Sequence, residues 1–361
     1  MESRIDCAVV GCGRMGAFTS ALMRRHAPTC WFPLSHAEAI REHPRLRLRA
    51  LCDIESDALR RAAATHEVAT TYTDFRRMLD EVRPALLGIA TRTIGRADLI
   101  REAINRGVRA LHVEKPLCNS TRELASLRAA FECNELFVTY GAIRRHFASY
   151  RLARQLADSG RYGALKELRV NLGSGTLFWT HPHSIDLILF GAGGRQIAGV
   201  QARLAEVSVG ASRCDIRSDP RVMTATIYFE DGVAGHITQA LGSDFVLSCS
   251  EAEIVVRADG AILEIYAPHD GGIYPTAAAF DGEVLPPGPC GTLAPLSQLV
   301  ACLDGNDLAY IDNLIIKRDI LAGQQVMFAM LQSHLEGSRI VDLTAVDDAL
   351  FIHAETAGRH A

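Results

Sequence analysis

Six residues near the start, Gly11-Cys12-Gly13-Arg14-Met15-Gly16, constrain this chain more than any others. They follow the short apolar run Ile5 to Val10 and precede a stretch of helical pattern, Ala17 to Arg25. G-x-G-x-x-G in that position is a strand-to-helix turn. Its glycines permit a tight bend and let backbone N–H groups approach a pyrophosphate. Glycine loops also serve as plain turns, so the context decides the reading. The context is a parallel sheet, because strand and helix signals alternate as far as Tyr140.

A dinucleotide site wants an acid at the end of the second strand, about 20 residues on, to accept hydrogen bonds from the adenosine ribose. The strand candidate is Arg47 to Cys52 and the acid is Asp53, which lies 37 residues beyond Gly16. An insertion accounts for the difference. It holds Trp31 and Phe32 between Pro28 and Pro33, then a short helix that Ser35 caps, with Glu38 completing a capping box and Pro44 closing it. Trp31 and Phe32 are read as packing the loop down, with a subunit contact or a substrate rim as alternatives. His26, His36 and His43 are read as solvated. An acid at Asp53 repels a 2′-phosphate, which favours NAD over NADP.

Two later strands also end at the crevice of such a sheet. Ala85 to Ala90 delivers Thr91-Arg92-Thr93, and Val108 to Val113 delivers Glu114-Lys115-Pro116. A lysine placed there is suited to proton transfer. Its ordinary pKa is about 10.4, so work near neutrality requires burial or a neighbouring cation. The Lys115-Pro116 bond is a candidate for cis, as a way to aim the lysine. Beyond Gly141 the pattern changes to strands joined by Asp231-Gly232 and Asp259-Gly260 turns, with the hairpin signature of an antiparallel sheet. His269 to Pro289 reads as a loop, and Leu293 to Leu303 and Ile315 to Leu335 as helices. The expected fold class is α/β: a doubly wound parallel sheet in residues 1–140, followed by an α+β domain with an open, mainly antiparallel sheet in 141–361.

Composition removes other classes. The net charge of −4 and a pI near 6.4 leave no basic footprint for nucleic acid or an anionic membrane. No apolar run approaches the roughly 18 residues of a membrane helix. The ten cysteines are scattered without a C-x-x-C pair, which reads as reduced thiols in a cytoplasmic protein without a metal site.

With a glycine loop, an acid after the second strand and a strand ending in E-K-P, the chain resembles the Gfo/Idh/MocA oxidoreductases. These include glucose-fructose oxidoreductase, inositol dehydrogenases and nucleotide-sugar 3-dehydrogenases. Gly141 to Tyr150 is similar to the family's arginine-containing segment, with Ala148 where proline is usual, and Ser338 to Leu343 resembles its C-terminal ending. The resemblance implies hydride transfer between NAD and a secondary alcohol or ketone of a sugar, cyclitol or nucleotide sugar. It implies cofactor contacts from Gly11, Gly13, Arg14, Met15, Gly16, Asp53, Thr91, Glu114 and Lys115. Lys115 would be the main acid/base, assisted by His183.

The family's D-x-x-x-H-x-x-D helix opening has a counterpart in residues 179–186. His183 and Asp186 match its last two positions, but Trp179 stands at the first, where the family has aspartate. Trp179 is expected to stack on a sugar face or the nicotinamide, or to plug space. His181 either supplies part of the missing polar function or is exposed. The expected substrate contacts are Arg92, Arg145, Trp179, His181, His183 and Asp186. The two arginines serve an anionic group or form surface ion pairs. The resemblance also implies a homodimer or homotetramer through the C-terminal sheet. The rival readings are a keto or imine reductase, a glycosidase that uses NAD without net turnover, and a non-catalytic NAD sensor.

Overall fold

The computed structural model describes residues 3–132, 135–268, 275–279 and 290–353. Six parallel strands form the first sheet: β1 Ile5–Val10, β2 Leu46–Cys52, β3 Thr71–Tyr72, β4 Leu86–Ile89, β5 Ala110–Val113 and β6 Phe137–Tyr140, in the order β3-β2-β1-β4-β5-β6. This is the doubly wound order, whose strands all deliver their C-terminal ends to one crevice. The central strands are buried on both faces, which is why they read as continuous apolar runs rather than alternating ones.

The helices of this half are α1 Ala21–His26, α2 His36–Glu42, α3 Ser56–His66, α4 Phe75–Val82, α5 Arg96–Asn105 and α6 Thr121–Phe131. Their caps are those the residue types dictate. Ser35 with Glu38 and Ser120 with Glu123 form capping boxes, and the Asp74 carboxylate accepts from the backbone N–H groups of Arg76 and Arg77.

The first helix departs from the sequence expectation. It begins at Ala21, not at Ala17. A helix running on from Gly16 would use the Met15 and Gly16 carbonyls for its own i→i−4 bonds. Those carbonyls instead accept the N–H groups of His36 and Ala37, at 2.8 and 2.9 Å. The inserted helix α2 thus docks its first turn on the glycine loop and interrupts the helix that would follow it. Ser20 then caps a new, short one. For the same reason the expectation of solvated histidines at 36 and 43 fails. Helix α2 packs on β1 and β2, so His36 is fully buried and His43 nearly so, while His26 remains exposed.

The second sheet has eight strands in the order β15-β14-β13-β12-β7-β11-β10-β8. They are β7 Leu165–Leu172, β8 Ile197–Ala205, β10 Arg221–Phe229, β11 Ala234–Thr238, β12 Leu241–Cys249, β13 Glu253–Arg257, β14 Ile262–Pro268 and β15 Pro275–Ala279; β9, Asp215–Ile216, pairs separately with β16, Phe351–Ile352. All neighbours in the large sheet are antiparallel except β7 with β11. Strand β15 falls inside the stretch expected to be a loop, and the remainder of that stretch lies outside the described residues. Strands β8 and β12 carried no turn signal comparable to Asp231-Gly232.

Helices α7 Ala148–Asp158, α8 His181–Ala192, α9 Leu293–Leu303 and α10 Asp307–Leu335 complete the fold. Helix α10 starts earlier than its apolar stripe suggests, because Asn306 caps it through the Ala309 N–H. It ties the two sheets together. Asn313 grips the edge strand β6 through both the N–H and the carbonyl of Val138, at 3.0 and 2.9 Å. Gln324 accepts the Leu117 N–H at 2.9 Å. The segment just after Glu114-Lys115-Pro116 is therefore anchored by α10. Among the described residues no helix is long and apolar enough to cross a membrane.

Candidate active site

The crevice is built first from glycines. Gly11 has φ of +89°, and a Cβ there would lie 2.7 Å from the Ala90 carbonyl carbon, so β1 and β4 close together only around glycine. A Cβ on Gly16 would lie 1.6 Å from the Gly11 carbonyl oxygen. Gly13 differs. It is exposed, and a Cβ added there would meet nothing within 4 Å. The loop therefore keeps one bare face open at the strand ends, as close approach of a pyrophosphate requires.

Asp53, at the end of β2, accepts from the Cys12 N–H through Oδ2 at 2.5 Å and from the Glu55 N–H through Oδ1 at 2.9 Å. The acid and the loop are thus locked to each other. Across the loop, the Thr91 hydroxyl is buried without a partner among the described residues, a polar atom suited to serve a ligand. Arg14 and Met15 are half-buried at the same edge.

Lys115 follows β5, and its bond to Pro116 is cis. The turn is held from below by Arg96, a residue the sequence reading passed over. Its guanidinium is buried and donates to the carbonyls of Thr91, Glu114 and Pro116. Lys115 Nζ donates to the Trp179 carbonyl at 2.7 Å and lies 3.9 Å from the centre of the Trp179 indole. Burial pushes the lysine pKa down, Arg96 and Arg144 push the same way, and Glu114 and Asp219 oppose them; the result is about 8. The Arg14 guanidinium lies 5.9 Å from the same indole. Trp179 therefore spans the gap between the glycine loop and the lysine.

Glu114 turns inward. Its carboxylate accepts from His36 Nε2 at 3.3 Å and from the Lys115 N–H at 3.3 Å, and it presses on Gly141. Burial raises its pKa, but the His36 bond and the Lys115 charge outweigh that and hold it near 2. Glu114 thus braces the lysine rather than facing the crevice. His36, His112 and Glu114 each bring one ligand atom within 4.8 Å of the others. The His36–Glu114 hydrogen bond already uses two of those atoms, and Arg96 and Lys115 supply the positive charge beside the carboxylate. The cluster reads as a brace for the lysine turn.

On the facing side, helix α8 opens with His181. His183 is half-buried and its Nδ1 has no partner among the described residues. Burial, with the charges of Arg144 and Lys115, drives its pKa well below the ordinary value, so the ring is neutral and open to a hydrogen bond. His181 is not exposed. It is fully buried, with Nδ1 3.0 Å from the Ser184 hydroxyl.

Arg145 and Asp186 are the main corrections to the expected substrate set. They bind each other: Arg145 Nε donates to Asp186 Oδ2 at 2.9 Å, and Nη2 donates to Asp319 Oδ2 at 3.1 Å on α10. All three are buried, and two carboxylates neutralise the guanidinium. Arg92 is exposed at the rim. The arginine near Lys115 and His183 is Arg144. Its Nε and Nη2 hold Asp259, its face covers Trp31 at 4.7 Å, and its buried Nη1 has no partner among the described residues. Trp31 thus does more than pack the loop, since it backs a site arginine from the insertion. Sequence pattern could not choose between adjacent arginines, because only the path of the chain after β6 separates them.

Residues 5–142 match the model of an oxidoreductase family described as having an NAD-binding Rossmann fold. That match shows an NAD-binding Rossmann domain in residues 5–142, similar to that of the Gfo/Idh/MocA oxidoreductases. The expected NAD-binding domain is thereby met. A curated relative, 1-carboxy-3-chloro-3,4-dihydroxycyclohexa-1,5-diene dehydrogenase of Comamonas testosteroni, is 26% identical over 213 residues, 54% of this chain and 51% of that protein. The chain spans about half the length of the curated relatives it matches. Among solved structures, the inositol dehydrogenase homolog of Azotobacter vinelandii, complexed with NADH and myo-inositol, superposes with a TM-score of 0.72 at 15% identity, over 94% of this chain and 98% of that one. The WlbA dehydrogenase of Bordetella pertussis, in complex with NADH and UDP-GlcNAcA, gives 0.66 at 18%, over 92% and 97%. These likenesses show that the two-sheet fold is shared along nearly the whole of each chain.

Proposed function

We propose that this protein is an NAD-dependent dehydrogenase that moves a hydride between the nicotinamide and a secondary alcohol or ketone of a polyhydroxylated, sugar- or cyclitol-like substrate. One observation carries the reading. Lys115 stands at a strand end beside the glycine loop, with a pKa near 8, in the charge field it shares with the neutral, unpartnered His183. A group poised near neutrality at a crevice is what proton transfer requires. Bound NAD⁺ supplies the hydride acceptor. The protein's part is to orient and to handle one proton. Lys115 Nζ takes the hydroxyl proton in oxidation and returns it in reduction, while His183 Nδ1 steadies the reacting or adjacent hydroxyl. Arg144 Nη1 offers one further donor to the substrate.

The relatives support the substrate class, since their names specify a dihydroxylated carboxy ring, myo-inositol and a nucleotide sugar. The test is a screen of inositols, aldoses, aldonic and uronic acids and UDP-sugars with NAD⁺, read by NADH absorbance. Absence of turnover with every class, together with tight NAD binding, favours the second reading of an NAD-binding sensor. The observation behind that second reading is the Trp179 indole packed on Lys115. Asp53→Ala should narrow the preference for NAD over NADP; an unchanged ratio removes Asp53 from cofactor choice. Assembly as a homodimer or homotetramer through the outer face of the large sheet belongs to the same proposal, and light scattering on the purified protein decides it.

A further inference from the structure

The family pattern puts a carboxylate where this chain has Trp179. The fold brings a different carboxylate to the same turn. Asp219 lies just before β10, forty residues along the chain from Trp179. Its Oδ2 accepts from the Thr176 hydroxyl at 2.7 Å and from the Trp179 N–H at 3.1 Å, and its Oδ1 accepts from the Phe178 N–H at 2.8 Å. The backbone reinforces this junction, because the Leu177 N–H donates to the Pro220 carbonyl at 2.8 Å and the Val222 N–H to the Gly175 carbonyl at 3.1 Å. The turn that Asp219 holds is the one that presents the Trp179 carbonyl to Lys115 Nζ.

We infer that Asp219 is a positioning residue for Lys115: it fixes the 176–179 turn whose carbonyl and indole hold the ammonium, and it supplies there the negative charge that the missing aspartate would have brought. The inference rests on the reading of Lys115 as the acid/base. A carboxylate bound to three donors cannot swing toward the substrate. It acts on the lysine through the Trp179 peptide and through its field. The groups whose charge bears on Lys115 are Glu114 beside it, Arg96 from α5, Arg144 after β6 and Asp219 from the β10 side, while the neutral His183 ring of α8 feels the lysine's charge in turn. Asp219 is the negative one among them that does not come from the lysine's own strand. Burial raises the Asp219 pKa, and its three hydrogen bonds and Lys115 counter that. The pair is thus coupled in both directions.

The test needs no knowledge of the substrate, because the chain has three lysines, at 115, 166 and 317, of which Lys166 is exposed. Trace acetylation of the intact protein with acetic anhydride across pH 6 to 11, read by peptide mass spectrometry, reports the titration of Lys115 against Lys166 as internal reference. Wild type should inflect near pH 8. Asp219→Asn keeps the shape and removes the charge, so the ammonium is less favoured and the inflection should fall by about half a unit or more. A purely structural role would change the labelling rate and leave the inflection in place. An inflection within 0.2 unit of wild type overturns the electrostatic part. Thr176→Val covers the case in which Asp219→Asn does not fold. It removes one of the three bonds with the charge kept, and should raise Lys115 labelling at pH 7 at least twofold; no change overturns the positioning part. Failure of this inference leaves the proposed activity standing, since that depends on whether Lys115→Ala abolishes turnover.

Discussion

Lys115 Nζ donates to the carbonyl oxygen of Trp179 at 2.7 Å and sits 3.9 Å from the centre of that residue's indole. One residue thus provides both a hydrogen-bond acceptor and a π-face to the same ammonium. Both favour the charged lysine, against burial and the flanking arginines that favour the neutral one. The balance leaves the group near the middle of the working pH range.

Removing the lysine should remove the proton transfer and little else. Lys115→Ala should lower turnover by roughly 10²- to 10⁴-fold, with NAD affinity within a few-fold of wild type. NADH absorbance gives the first quantity and calorimetric titration the second. Wild-type turnover in the variant would end the assigned role.

The indole spans the gap between Arg14 and Lys115, and the chain has two tryptophans. NAD⁺ binding along that gap should therefore change Trp179 emission. Titration of NAD⁺ should quench or shift the fluorescence of wild type and of Trp31→Phe, and leave Trp179→Phe nearly silent. A signal that survives in Trp179→Phe and vanishes in Trp31→Phe would place the cofactor elsewhere.

The two glycines of the loop predict opposite phenotypes. Gly13→Ala meets no neighbouring atom, so the midpoint of thermal unfolding should be unchanged or slightly higher. Its methyl group would occupy the open face, and NAD affinity should fall at least tenfold. Gly16→Ala puts Cβ 1.6 Å from the Gly11 carbonyl oxygen and should lower the unfolding midpoint itself. Undiminished NAD binding by Gly13→Ala would move the pyrophosphate off this loop.

Acid should destabilise the protein through its buried histidines. Burial lowers His181 from 6.5 to about 4, with a backbone bond to Gly175 opposing. The unfolded chain therefore takes up the proton first as pH falls below 6.5. The stability that neutral His181 contributes is complete above that value and is lost as pH falls toward 4. At pH 5 the loss is about 2 kcal/mol for this one group. His181→Asn should reduce the fall in unfolding free energy between pH 7 and pH 5 by about that amount, measured by urea denaturation at the two pH values. An unchanged fall would show that the ring is protonated in the folded state.

Much of the first sheet was legible in the chain because its signals are local. Most of its strands are short, largely apolar runs, and Asp74, Ser35 and Ser120 mark helix starts through bonds to residues two or three positions away. The first helix was misplaced because its missing hydrogen bonds are non-local. The carbonyls of Met15 and Gly16 are taken by the N–H groups of His36 and Ala37, far along the chain. The site divides in the same way. Lys115, His183 and the glycine loop stand out by residue type at a strand or helix end. Arg96, Arg144 and Asp219 do not, since nothing beside them in sequence indicates which carbonyl or carboxylate they will meet.

By itself the sequence determined the parallel sheet, the dinucleotide loop and the lysine at the strand end, since each is written in contiguous residues with a fixed backbone period. Only the tertiary structure decided the pairings. Arg145 is neutralised by Asp186 and Asp319 while Arg144 keeps a free donor, Glu114 turns to His36 instead of the crevice, and Asp219 arrives at the Trp179 turn. These depend on desolvation and charge compensation among groups brought together from distant parts of the chain. Burial makes each unpaired charge costly, and the fold determines which partner is within reach.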